Sequence, residues 1–160
     1  MIITFCGHGS INIEQSEINE IKDFLIGKIK QHPNVKFYLG GYGYFDHLVF
    51  SILRKLKKDF SNIELIFISP YLDNSYSKLQ IANKIYDGTI YPPLETVPKK
   101  FAILKRNEWM VDNCDLLVAY VKYPWGGARK TLDYAIRKKK SYINFAKKEK
   151  DRILFNPNSF

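Results

Sequence analysis

Cysteine is scarce in this 160-residue chain, with only Cys6 and Cys114. Two thiols cannot build a disulfide framework, so the fold has to rest on a packed core, and a reducing, cytoplasmic setting is expected. Histidine is nearly as rare, at three. The histidines and cysteines show no metal-ligand spacing, so no metal site and no required cofactor are expected. No apolar run approaches the roughly 20 residues that span a bilayer, and the amino terminus lacks the basic region and cleavage site of a secretory signal, so no membrane association is expected. Repeats and low-complexity tracts are absent. Two nucleotide motifs are missing as well. There is no G-x-x-x-x-G-K-[ST], which excludes a Walker A loop, and no G-x-G-x-x-G after the first apolar run, which sets aside a standard NAD dehydrogenase.

What the chain has in quantity is apolar and aromatic residues, 46% and 15% of the total. That is enough for one sizeable core, and the length fits a single domain over residues 1–160. Net charge is +9, and its distribution is uneven. The segment 129–152 holds ten Lys and Arg against three acidic residues, and the rest of the chain fifteen against thirteen. This basic stretch reads first as a solvated helix face with a lysine-rich tail, and second as a surface for anions, nucleic acid included.

Apolar periodicity alternates between two types. Short runs at Ile2 to Phe5, Val35 to Leu39, Ile63 to Ile68, Leu116 to Val121 and Tyr142 to Phe145 have the length and composition of buried strands. Between them, apolar residues recur at helical spacing over Ser16 to Gln31, Phe45 to Leu56, Pro98 to about Asn113, and Ala128 to Ile136. Residues 71–97 are irregular, with a short helix expected around Leu79, Ala82 and Tyr86 and a short strand in "YDGTIYPP". This alternation predicts an α/β, Rossmann-like three-layer sandwich with a mostly parallel sheet. Right-handed crossovers then place every strand's carboxyl end on one edge, where ligands of such sheets bind.

Three glycine clusters fall on that edge: "CGHGS" with Gly7, His8, Gly9 and Ser10; "GGYGYFD" with Gly40, Gly41, Tyr42, Gly43 and Asp46; and "YPWGGARKT" with Trp125, Gly126, Gly127 and Thr131. The last two lead directly into helices, whose first N–H groups suit a phosphate, while glycine lets a ligand approach the backbone. Many tight βα turns use glycine for geometry alone, so one such loop is weak evidence, and three on one edge favour a shared phosphate or nucleotide site. Asp46 either caps its helix, orders the glycine loop or holds a ribose hydroxyl. Tyr42, Tyr44 and Trp125 either stack on a base or pack at the surface, with Trp125 the better stacking candidate. Cys6 closes a core strand and reads as a small hydrophobe rather than a thiolate paired with His8. His8 is expected to donate a hydrogen bond to a ligand or to the backbone. Asp115 reads as a polar residue at the start of a strand.

Taken together these motifs resemble the SLOG superfamily, which includes the Lonely Guy phosphoribohydrolases, the DNA-processing protein A family and the small YpsA-like proteins. "ITFCGHGSI" is similar to the YpsA-like opening pattern, with Gly9 where arginine is usual. "GGYGYFDHLV" looks like G-G-x-x-G-x-D with the third glycine shifted by one. "RNEWMVDNCDLLVAYVKYPWGGARKTLDYA", Arg106 to Ala135, is the most specific match. The resemblance implies a Rossmann-like fold and a site for a nucleotide or nucleotide-derived ligand such as NAD, ADP-ribose or a mononucleotide, held for sensing or sequestration, as in nucleotide immune signalling. It implies ligand-binding roles for Arg106, Asn107 and Met110 beside the three loops, and a homo-oligomer. The alternative it carries is an enzyme acting on an N-glycosidic bond, a phosphoribohydrolase or a deoxyribosyltransferase, with Arg106 and Asp133 as catalytic residues. Here the chain departs from the pattern, because Tyr134 stands where those hydrolases place a glutamate. A single-stranded nucleic-acid binder is the third reading.

Overall fold

The computed structural model describes residues 1–72 and 85–147. The expected helix around Leu79 and Ala82 and the end of the basic stretch, 148–152, lie outside these residues. Among these residues six strands form one sheet: β1 (Ile2–Gly7), β2 (Val35–Leu39), β3 (Ile63–Ile68), β4 (Gly88–Ile90), β5 (Leu116–Tyr120) and β6 (Tyr142–Asn144). Their spatial order is β4-β3-β2-β1-β5-β6, and every pairing is parallel. "YDGTIYPP" supplies β4, hydrogen-bonded along β3 as a sheet edge. Among the described residues the helices are α1 (Gln15–Gln31), α2 (Tyr44–Leu56), α3 (Ala102–Asp112), which follows a 3-10 turn at Lys99–Phe101, and α4 (Gly127–Arg137). None of the helices among the described residues is long and apolar enough to cross a membrane.

Strand alternation assigns the two faces. Ile3 and Phe5, Phe37 and Leu39, Leu116, Val118 and Tyr120 pack in one cluster with Ile21, Leu25 and Ile29 of α1 and Val49, Leu53 and Leu56 of α2. Leu117, Ala119 and Val121 face the opposite way, against Val111 of α3 and Leu132 and Ala135 of α4. Tyr38, Ile66 and Ile68 join Met110 on that same side. Strand order runs outward from β1 in two directions, through β2 to β4 on one side and through β5 to β6 on the other, so the switch point of the sheet lies between β1 and β5.

Polar side chains lock the strand ends. Asp115 accepts the Ile2 N–H at 2.7 Å and so ties the start of β1 to the residue before β5. Asn144 accepts from the Val121 N–H and donates to its carbonyl, both at 2.9 Å. Glu17 accepts from the Glu14 N–H at the start of α1 and also from the Tyr120 hydroxyl, joining the first helix to β5.

Candidate functional site

A cleft of about 270 Å³ opens over the carboxyl ends of β1, β2 and β5. Gly7 and Gly9 line it from the β1 loop, and Gly40, Tyr42, Gly43 and Asp46 from the β2 loop. Arg106, Asn107 and Met110 line it from α3, and Gly127 and Thr131 from α4. Thus four segments that are far apart in sequence meet at one place. His8, Ser10, Gly41, Trp125 and Gly126 are not in its lining. Ser10 belongs with Gly9, Tyr44 and Tyr123 to an adjoining surface groove. Sequence reasoning missed Ile103 and Ala128, which also line the cleft. A signal for Ile103 was present, because residues 103, 106, 107 and 110 fall on one face of a 3.6-residue helix.

The glycines divide into two kinds. A Cβ on Gly7 would stand 2.3–2.5 Å from Phe45, and one on Gly40 would stand 2.7–2.8 Å from the Arg106 guanidinium. Gly41 and Gly43 have φ of +71° and +86°, and a Cβ on Gly43 would also meet the Gly9 backbone at 2.9 Å. At these four positions the protein itself occupies the space or demands the backbone conformation, so packing alone accounts for glycine there. Gly9 and Gly127 differ. Both line the cleft, neither has a positive φ, and nothing lies within 4 Å of where their Cβ atoms would be.

Asp46 sits in the first turn of α2, and its carboxylate turns back over the glycine loop to accept the N–H groups of Gly40 and Gly41. Of the roles weighed for it, the structure shows loop ordering. Desolvation raises its pKa above the usual carboxylate value, while Arg106 and the two loop N–H groups pull it down.

Arg106 is 2% exposed. Its Nη1 donates to the carbonyls of Gly40 and Ile68, both at 2.8 Å, and its Nε donates to Asn107 Oδ1 at 2.9 Å. The guanidinium also lies over the Tyr42 ring at 5.4 Å. It therefore latches the ends of β2 and β3 together while also lining the cleft. From Asn107 the contacts continue: its Nδ2 reaches Thr131 Oγ1 at 3.4 Å, and Thr131 donates to the Gly127 carbonyl at 3.0 Å. The two glycine loops are joined through α3.

His8 is buried, and its Nε2 accepts from the Lys122 and Tyr123 N–H groups, both at 3.0 Å. Two main-chain donors on Nε2 require the neutral ring with its proton on Nδ1, which is left as the ring's donor. Burial lowers the His8 pKa below 6.5. A depressed histidine favours folding fully above pH 6.5, and that contribution is lost as pH falls through the folded value. The urea midpoint is expected to decline between pH 7 and 5, and to do so less in His8→Gln, whose amide oxygen accepts without titrating. An identical decline in the two proteins would contradict this role. His8 also packs on Tyr123, which stacks on Trp125 at 5.3 Å and 10°. Trp125 is 65% exposed beyond the cleft.

Cys6 is buried, and desolvation pushes its thiol far up, so it is not a thiolate. Asp133 lies outside the cleft lining, two residues and thus about 200° around α4 from Thr131. Its carboxylate pairs with Arg129 at 2.7 Å. The Tyr134 hydroxyl, at the position where the resemblance places glutamate, donates to Asp112 at 2.8 Å. Asp46 is thus the one carboxylate among the described cleft residues. No cluster of three or more potential metal ligands occurs among the described residues.

No family model and no curated protein matches this sequence. The similarity to known proteins is one of fold. A DNA processing protein A from Helicobacter pylori, whose structure concerns single-stranded DNA binding, matches 89% of this chain at 16% identity with a TM-score of 0.61. This chain spans 63% of that protein, less than two thirds of its length. A molybdenum cofactor carrier protein from Chlamydomonas reinhardtii matches 89% of this chain and 74% of its own at 14% identity, with a TM-score of 0.55. The structural-genomics target TM1055 matches 89% and 72% at 15% identity, with a TM-score of 0.52. The Rossmann-like fold that the motifs implied is the one observed, and the DNA-processing protein A group named in that resemblance shares it.

Proposed function

We propose that this chain binds a nucleotide or nucleotide-derived ligand in the cleft over β1, β2 and β5, and that it holds the ligand for sensing or sequestration rather than turning it over. The observation that carries the reading is the pair Gly9 and Gly127. They line the cleft and have open space where a side chain would go, while Gly7, Gly40, Gly41 and Gly43 are explained by the protein's own packing or by a positive φ, and Gly126 by its φ of +91°. Gly127 opens α4, so the N–H groups of Gly127 and Ala128 have no intrahelical acceptor and favour an anionic group. The edge position, at a switch point of a parallel sheet, is where such sheets hold ligands. Binding without turnover follows from the carboxylates. Asp133 faces away, and Asp46 is engaged with the loop, so neither is placed to stabilise an oxocarbenium-like transition state.

The test is a thermal-shift panel of NAD, ADP-ribose, cyclic ADP-ribose isomers, mononucleotides and a short oligothymidine. A compound present at 100 times its Kd stabilises by about 2.7 kcal/mol, which for a domain of this size raises Tm by about 5–10 °C. If no small molecule in the panel moves Tm, the reading fails. Single-stranded nucleic acid is the second reading, favoured by the exposed Arg137, Lys138 and Lys139 at the end of α4. A response to oligothymidine alone that weakens steeply with salt would replace the first reading by the second.

A further inference from the structure

We infer that a second cavity, lined by Tyr42, Tyr71, Tyr91, Leu94 and Val97, takes the flat aromatic ring of the ligand whose anionic group sits at the start of α4. The inference rests on the nucleotide reading above and goes further by assigning the ring to a place of which the motifs marked only Tyr42.

The cavity measures about 460 Å³ and lies beyond the carboxyl ends of β3 and β4. Tyr42 belongs to the linings of both this cavity and the cleft, and the first turn of α3 contributes Ala102 to the one and Ile103 to the other. The two spaces are therefore neighbours across a single side chain and a single helical turn. Their chemistry differs. The cleft is rimmed by glycine backbone, a helix start and the side chains of Arg106 and Asp46, which suits a sugar and phosphate. The cavity is walled by three tyrosines and by the apolar Pro70, Leu72, Leu94, Val97 and Ala102, and its charged residues are Glu95 and Lys99, the latter over the Tyr71 ring at 5.6 Å. An apolar slot with aromatic walls favours a planar ring, by burial and by stacking. Size argues the same way. Sites that bury a small ligand occupy about 300–1000 Å³. The cleft alone, at about 270 Å³, falls short of that range, and the cleft joined to the cavity lies within it. Tyr42 is also held in place, since the Arg106 guanidinium covers its ring, so the partition is set before any ligand arrives. The ligand class is thus an anionic sugar phosphate carrying an aromatic ring, spanning Gly127 to Val97.

The other flank of the cleft, the groove at Ser10, Asn12, Tyr44 and Tyr123, is more polar and offers fewer apolar walls. It serves as the control. The experiment is calorimetric titration of the intact protein with ADP-ribose, AMP and ribose 5-phosphate, in wild type, Val97→Trp, Tyr91→Ala and Tyr123→Ala, with Tm recorded for each. Val97→Trp fills the cavity, and Tyr91→Ala removes a wall without adding bulk, so it decides the matter if the first variant fails to fold. The expected result is that the wild type binds at least one ring-bearing compound at least tenfold more tightly than ribose 5-phosphate. Val97→Trp and Tyr91→Ala should lose that margin while keeping their affinity for ribose 5-phosphate. If the ring-bearing compounds bind but the margin survives in both variants, or is lost in Tyr123→Ala instead, the ring sits elsewhere and this inference is overturned while the nucleotide reading stands. If none of the three compounds binds the wild type, both are overturned.

Discussion

Replacing Arg106 by alanine is expected to cost about 3–5 kcal/mol of stability at pH 7, the range for removing one partner from a buried charged network. The side chain is 2% exposed and sits where the ends of β2 and β3 meet. Without it the Gly40 and Ile68 carbonyls lose their Nη1 donor and Asn107 Oδ1 loses its Nε donor. Asp46 also loses the positive charge that offsets its desolvation. Lysine restores the charge but cannot reproduce the fork of donors, so Arg106→Lys should recover only part of the loss. The effect carries a pH signature. Asp46 has a folded pKa above its unfolded value of 3.8, so its contribution is fully present below pH 3.8 and is lost as pH rises through the folded value. Removing Arg106 moves the folded value further up. The gap between wild type and Arg106→Ala should therefore narrow on acidification. Urea denaturation at pH 7 and pH 4.5 measures this. A gap below about 1 kcal/mol at pH 7 would mean that Arg106 is not the latch described here.

The largest expected effect on binding belongs to Gly127→Val. The added side chain enters open space, and the backbone there needs no positive φ. At the first position of α4 the substitution should change folding stability by less than about 1 kcal/mol. If a ligand's anionic group occupies that space, the same side chain excludes it, and affinity should fall by about 100-fold, equivalent to about 2.7 kcal/mol. Gly40→Ala provides the contrast. Its Cβ meets the buried Arg106 guanidinium at 2.7–2.8 Å, so the protein should lose stability before binding can be assessed. Two glycines on the same cleft thus separate a packing role from a space-keeping role, something motif spacing alone cannot do.

The architecture was largely legible from apolar periodicity. Buried parallel strands are apolar on both faces, and "IELIFI" and "LLVAYV" show this plainly, as β3 and β5. Their ends were legible to within one or two residues, and β1 runs on to Gly7 because its pairing with β5 continues to Tyr120. What the periodicity does not carry is the direction of polar side chains. Arg106 matched a ligand-binding motif, but whether a guanidinium meets a ligand or two carbonyls depends on residues 66 and 38 positions away. The role of His8 was hidden likewise, since its partners are the main-chain donors of Lys122 and Tyr123, which no side-chain pattern announces. Glycine is ambiguous for the same reason. Gly40 and Gly127 look alike in sequence and are separated only by what stands next to their α-carbons. The aromatic cavity escaped notice because Tyr71, Tyr91 and Val97 lie in the irregular stretch between β3 and α3, where no period relates them.

The central claim is that the cleft at Gly9 and Gly127 is kept open for an anionic, nucleotide-like ligand. Isothermal titration of wild type and Gly127→Val with the compound that most raises Tm, alongside their melting curves, tests it most directly. The claim predicts unchanged melting and about 100-fold weaker binding in the variant. Equal affinity in the two proteins, with both folded, would contradict it and place the ligand elsewhere on the molecule.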